Sequence, residues 1–127
     1  MLAEAYRYYN LTANVIIPVP LHQSRFKERG FNQSTLLAKK LSRLIGLPVD
    51  TATLYRTRDT GYQMALKAQQ RRQNVAGAFD CRGQLSGLRF LLVDDVCTTG
   101  STLDACAMAL KMNGADTVWG LTLAKAR

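Results

Sequence analysis

Val15-Ile16-Ile17 and Phe90-Leu91-Leu92-Val93 are short, unbroken apolar runs, the pattern of strands covered on both faces. Residues 117–123 read as a last strand, and Thr53-Leu54-Tyr55 as a weaker one. Between them the period changes to that of a helix. Leu37, Leu41, Leu44 and Ile45 line one face of residues 33–45, with Gly46 and Pro48 as the stop. Leu103, Ala107 and Leu110 do the same for residues 101–112, closed by Asn113-Gly114. Leu2, Tyr6 and Tyr9 predict a short N-terminal helix, with Tyr6, Tyr8 and Tyr9 covering the core rather than forming a stacking platform.

Strands alternating with helices predict parallel strands joined by right-handed crossovers: an α/β fold, mainly a parallel sheet flanked by helices. The 127 residues suit a single domain, 1–127, with a core over 14–124. Residues 57–74 break the pattern. The polar and basic stretch starts at Arg56, shows no clean periodicity until about Ala65, and reads as a flexible loop running into a short helix.

Charge narrows the partners. Residues 1–80 hold twelve Lys/Arg against five acids and residues 81–127 five against four, so the first half is suited to a polyanion. Pyrophosphate, nucleotide and nucleic acid all qualify. No apolar run approaches a bilayer span and the first residues hold no signal core, so a cytoplasmic protein without a membrane span is expected. Cys81, Cys97 and Cys106 form no C-x-x-C pair and read as buried or half-buried thiols. Cys97 alone is placed for reactivity, just ahead of a helix start.

The chemistry concentrates in residues 93–102. A buried strand ends in Asp94 and Asp95, and a helix begins at Ser101 or Thr102. Gly100 permits a tight turn and close ligand approach. The hydroxyls of Thr98, Thr99, Ser101 and Thr102, with the N–H groups of the helix start, form a cradle for a phosphate monoester. Asp94 and Asp95 suit a sugar diol, or Mg²⁺ and its waters. Phosphate at one end and diol at the other describes a ribose 5-phosphate. The P-loop and dinucleotide-binding glycine patterns are absent.

Leu92-Val93-Asp94-Asp95-Val96-Cys97-Thr98-Thr99-Gly100-Ser101-Thr102 resembles the phosphoribosyl pyrophosphate motif of type I phosphoribosyltransferases. Pro18-Val19-Pro20-Leu21-His22 and Arg29-Gly30-Phe31-Asn32-Gln33 resemble the start of the ComF (GntX-type) competence family within that superfamily. Gln63, Leu66, Arg71, Arg72, Asn74 and Phe79 match its middle segment. Family members carry an N-terminal cysteine-rich, zinc-binding segment that this sequence does not contain.

The resemblance implies a protein that binds phosphoribosyl pyrophosphate and Mg²⁺ and transfers phosphoribose to a nitrogen nucleophile in a competence or DNA-utilisation setting. Asp94 and Asp95 would be catalytic and would hold the metal indirectly, through water or ribose hydroxyls. Pro20, Leu21, His22 and Arg29 would meet the pyrophosphate, Arg25 and Lys27 would supply further donors, and Lys67, Arg71 and Arg72 would close over it. A solvated basic turn and a surface histidine remain the alternatives at these positions. In 6-oxopurine salvage enzymes the position of Thr98 holds an aspartate acting as general base. Threonine cannot, so the pattern sits nearer orotate, adenine or amidotransferase relatives. The competing reading is non-catalytic: a ligand sensor, or a protein handling single-stranded DNA with competence partners. The oligomeric state stays open, a dimer being compatible.

Overall fold

A computed structural model describes residues 2–20, 32–57, 78–97 and 100–125. The elements in order are α1 (Leu2–Tyr8), β1 (Val15–Pro18), α2 (Gln33–Ile45), β2 (Leu54–Arg56), β3 (Phe79–Cys81), β4 (Arg89–Cys97), α3 (Ser101–Met112) and β5 (Thr117–Lys125). β4 lies at the centre of a parallel sheet ordered β1-β4-β5, as the apolar runs predict. Val49, just beyond α2, adds a parallel bridge to Ile16 on the far side of β1.

Alternation along the strands feeds two cores. Ile16, Leu91 and Val93 face one side, where they pack with Ala3 of α1 and Ala38 and Leu41 of α2. Ile17, Phe90 and Leu92 face the other, with Cys106 and Leu110 of α3 and Phe79 of β3. Residues 90–93 are at most 1% exposed, so the unbroken apolar run reports a strand covered on both faces.

Four details differ from the sequence reading. β2 does not join the parallel sheet. It pairs antiparallel with β3, a strand the sequence reading missed, and Arg56 belongs to it rather than to the polar stretch that follows. Phe79-Asp80-Cys81 has the buried–exposed–buried alternation of a half-covered strand, but three residues are too few to register as a period.

On α2 the buried stripe is Ser34, Ala38 and Leu41. Leu44 falls about a quarter turn from it and is 55% exposed. On α3, Leu110 is buried as expected, while Leu103 and Ala107 pack at the edges of a stripe made by Ser101, Cys106 and Ala109.

Tyr8 and Tyr9 are exposed, and only Tyr6 packs on the core. The helix stops at Tyr8 because Asn10 takes a left-handed conformation at φ 52°. The Tyr9 N–H still bonds the Ala5 carbonyl in helical fashion, and the Asn10 and Leu11 N–H groups then close back onto the Arg7 and Tyr6 carbonyls, a C-terminal motif.

Finally, β4 does not end at Val93. β5 runs to Lys125 and gives Asp94, Val96 and Cys97 partners in Thr122, Ala124 and Lys125.

Candidate functional site

β1 and β4 part company at one point. Their register ends at Pro18 opposite Val93, and the Val19 N–H makes one further bond to the Val93 carbonyl at 2.9 Å. Beyond it β4 continues with β5 alone, so Asp94 is the first β4 residue past the end of β1. This is the carboxyl edge of a parallel sheet, where such folds place their ligands.

The start of α2 fills the gap. Asn32 is its N-cap, in extended conformation, and its side-chain oxygen accepts from the Ser34 N–H at 2.9 Å. The other end of the same amide donates to the Val19 carbonyl at 3.1 Å. Ser34, buried in the first turn of the helix, donates its hydroxyl to Asp94 Oδ1 at 2.9 Å. The same oxygen accepts the Asp95 N–H at 2.9 Å. One helix cap thereby ties the chain leaving β1 to the first acid of β4.

Burial pushes the Asp94 carboxyl up to about 6, helped by the hydrogen bond to and charge of Asp95. The Ser34 hydroxyl and the Asp95 N–H oppose that shift without cancelling it. Asp94 therefore takes up its charge reluctantly, with a second acid directly beside it in the chain.

The next helix in the chain after the pair is α3. Its N-cap is Gly100 at φ 80°, and no side chain caps the helix there. A Cβ at Gly100 would meet nothing within 4 Å, so the glycine answers a backbone need and leaves open space above it. Ser101 behind it is buried and Thr102 half-buried.

The structure thus brings Asp94, Asp95, Gly100, Ser101, Thr102 and Pro20 to one sheet edge. Thr98, Thr99, Leu21, His22, Arg29, Arg25, Lys27, Lys67, Arg71 and Arg72 lie outside the described residues, as does the short helix expected from Ala65. Cys81 and Cys106 are buried thiols, as expected. Burial and the Asp80 charge push Cys81 up to about 11, and burial drives Cys106 higher.

Ser34 and Arg56 are site-edge residues that the sequence reading did not single out. A polar residue on the buried stripe of α2 is the signal that marks Ser34. Arg56 carries no such signal, since its setting depends on β3. Among the described residues no three His, Cys, Asp or Glu side chains gather as a metal cluster, and no helix is long and apolar enough to cross a membrane.

No family model matches the sequence. Over 103 residues the chain is 47% identical to the DNA utilization protein YhgH of Escherichia coli O157:H7, covering 81% of this chain and 45% of that protein. Competence protein F of Haemophilus influenzae is 41% identical over 114 residues, 86% of this chain and 50% of the relative. Competence protein ComFC of Bacillus subtilis is 34% identical over 101 residues, 79% and 39% of the two chains. The chain spans about half the length of the curated relatives it matches.

Among solved structures, a purine phosphoribosyltransferase from Pyrococcus horikoshii superposes with a TM-score of 0.60 at 23% identity, over 98% of this chain and 67% of the other. A hypoxanthine phosphoribosyltransferase of Trypanosoma cruzi gives 0.59 at 19%, over 99% and 60%. At those identities the likeness speaks for the fold. By sequence the chain is a homologue of competence protein F, ComFC and the DNA utilization protein YhgH, built on the type I phosphoribosyltransferase fold.

Proposed function

We propose that this sheet edge binds a ribose 5-phosphate, in the form of phosphoribosyl pyrophosphate with Mg²⁺. The observation that carries the reading is that β4 holds Asp94 by the Ser34 hydroxyl and that the next helix in the chain, α3, starts at a glycine cap. The helix start suits the 5-phosphate, with N–H groups and the Ser101 and Thr102 hydroxyls as donors. Asp94 and Asp95 suit the ribose diol, since ionised carboxylates only accept hydrogen bonds.

The donor set also fits Mg²⁺. That ion takes hard oxygen ligands, keeps several waters, and is held through one or two carboxylates together with substrate phosphates. The two adjacent acids Asp94 and Asp95 match that habit. When bound, the ion would neutralise charge on the pyrophosphate leaving group. Asp94 and Asp95 would orient the diol and stabilise positive charge developing on the ribose ring as a nitrogen nucleophile attacks C1.

Thermal shift tests the cradle directly. Ribose 5-phosphate at a concentration well above its Kd raises Tm, whereas ribose or inorganic phosphate at that concentration raises it much less. Equal shifts from phosphate and ribose 5-phosphate would remove the diol from the account.

A second surface supports the nucleic-acid reading. Arg7 donates to the Leu44 carbonyl at 2.6 Å, which joins the C-terminal ends of α1 and α2. Around that junction Tyr8 and Tyr9 are 79% and 66% exposed, with their rings edge to face at 4.9 Å. Lys39, Lys40 and Arg43 are exposed on α2, a helix without an acidic residue. Exposed cations and exposed aromatic rings on the two joined helices suit single-stranded nucleic acid, by phosphate contact and base stacking. Binding of a labelled oligonucleotide that weakens steeply with salt and with Tyr8→Ala/Tyr9→Ala supports this reading. Binding indifferent to both would dismiss it.

A further inference from the structure

Asn32 closes a ring of hydrogen bonds around the first acid of β4. The Val19 N–H donates to the Val93 carbonyl at 2.9 Å, and Asp94 follows Val93 in the chain. Asp94 Oδ1 accepts the Ser34 hydroxyl at 2.9 Å, and the Ser34 N–H donates to Asn32 Oδ1 at 2.9 Å. The Asn32 Nδ2–H then returns to the Val19 carbonyl at 3.1 Å, where the ring began. Capping the helix needs only the oxygen of that side chain. The donor at the other end of the amide is additional, and it fastens the start of α2 to the chain leaving β1. The place of the Ser34 hydroxyl relative to β4 follows from that attachment.

The carboxylate torsion of an aspartate is soft, so its bonds decide where its oxygens face. Oδ1 of Asp94 is committed to two donors, the Ser34 hydroxyl and the Asp95 N–H. The second belongs to the next residue in the chain, whereas Ser34 holds the carboxyl from another element. We propose that Asn32 is a positioning residue that, through Ser34 and Asp94, sets the preference of the site for a sugar phosphate with an intact diol over its deoxy counterparts. The proposal rests on the phosphoribose reading and deepens it. A sugar hydroxyl gains from a carboxylate only when an oxygen stands where the hydroxyl points, and a deoxy carbon at that place has no such gain to lose. A loosened Asp94 therefore costs the full sugar and leaves the deoxy sugar as it was.

The test is calorimetric titration with ribose 5-phosphate, 2-deoxyribose 5-phosphate and 3-deoxyribose 5-phosphate, all with Mg²⁺. Wild type is compared with Asn32→Ser, Asn32→Ala, Ser34→Ala and the double variant Asn32→Ser/Ser34→Ala, with melting temperatures measured alongside. Serine still caps the helix, but it has one polar atom where the amide has two, so it cannot also hold the Val19 carbonyl. Wild type should favour ribose 5-phosphate over at least one deoxy sugar by about tenfold, the scale of one charged hydrogen bond. In Asn32→Ser that preference should fall to within about threefold, while affinity for the same deoxy sugar stays within about twofold. The retained cap keeps its melting temperature close to that of wild type, whereas Asn32→Ala loses stability and preference together. The double variant should discriminate no worse than Ser34→Ala alone, because Asn32 acts through Ser34.

Full preference in Asn32→Ser would show that capping alone suffices and would overturn the proposal. Equal losses for all three sugars, or losses that add in the double variant, would overturn it as well. Those outcomes leave wild-type binding of ribose 5-phosphate intact. Wild type that binds no ribose 5-phosphate, or binds the three sugars alike, would instead overturn the phosphoribose reading, and this proposal with it.

Discussion

The Ser34 hydroxyl donates to Asp94 Oδ1 at 2.9 Å, joining the first turn of α2 to the point where β4 outruns β1. The bond stabilises the charged form of an acid that its surroundings push toward the neutral one. Ser34→Ala leaves a buried carboxylate short of a donor. Unfolding by urea at pH 7 should show a loss of about 2 kcal/mol, and affinity for ribose 5-phosphate should fall several-fold. Unchanged stability would mean that the hydroxyl bond contributes nothing in solution.

Asp94→Asn should stabilise the protein at neutral pH while weakening ligand binding. A carboxyl raised from 3.8 to about 6 in the folded state keeps its proton there after the unfolded chain has released one. The folded state thus binds more protons between those values, and wild-type stability falls as pH rises from about 4 to 6. Asparagine removes that fall, and its side-chain oxygen still accepts from Ser34 and the Asp95 N–H. The gain, on the order of 2 kcal/mol, should be complete above pH 7 and absent below pH 4. Denaturation across pH checks it, and a gain that persisted at pH 4 would contradict the assignment.

Gly100→Ala tests the left-handed N-cap. No atom lies within 4 Å of the added methyl, so the cost is backbone strain alone at φ 80°. A loss of about 1 kcal/mol is expected, with a larger fall in affinity for ribose 5-phosphate than for pyrophosphate. Alanine tolerated without change in either would show that the turn is not held as described.

Cys81 and Cys106 should resist alkylation. Burial holds both thiols protonated at ordinary pH, Cys81 at about 11. Labelling at pH 8 followed by peptide mapping should find each modified at least about tenfold more slowly in the folded protein than in urea. Equal rates would mean that the second core opens readily.

The central strands and the acid–glycine–hydroxyl pattern were readable in sequence because each depends on neighbours in the chain. Phe90, Leu91, Leu92 and Val93 have no polar face to offer, and Asp94-Asp95 directly after them needs a reason beyond capping. What escaped depends on pairing across distance. The extension of β4 through Cys97 needs β5 to continue to Lys125, and β3 is too short to register until β2 lies beside it. Tyr9 fits a helical period yet stands exposed at the helix end, where Asn10 turns the chain at φ 52°. Arg56 looked like the beginning of a basic loop. Phe79 and Pro20, both remote in sequence, help give it a fixed place.

Calorimetric titration with phosphoribosyl pyrophosphate, with and without Mg²⁺, in wild type and in Asp94→Asn/Asp95→Asn, tests the phosphoribose site most directly. Saturable one-to-one binding that strengthens with Mg²⁺ is expected, with a loss of at least about tenfold in the double variant. Wild type that shows no binding, or binding indifferent to both the metal and the two acids, would contradict it.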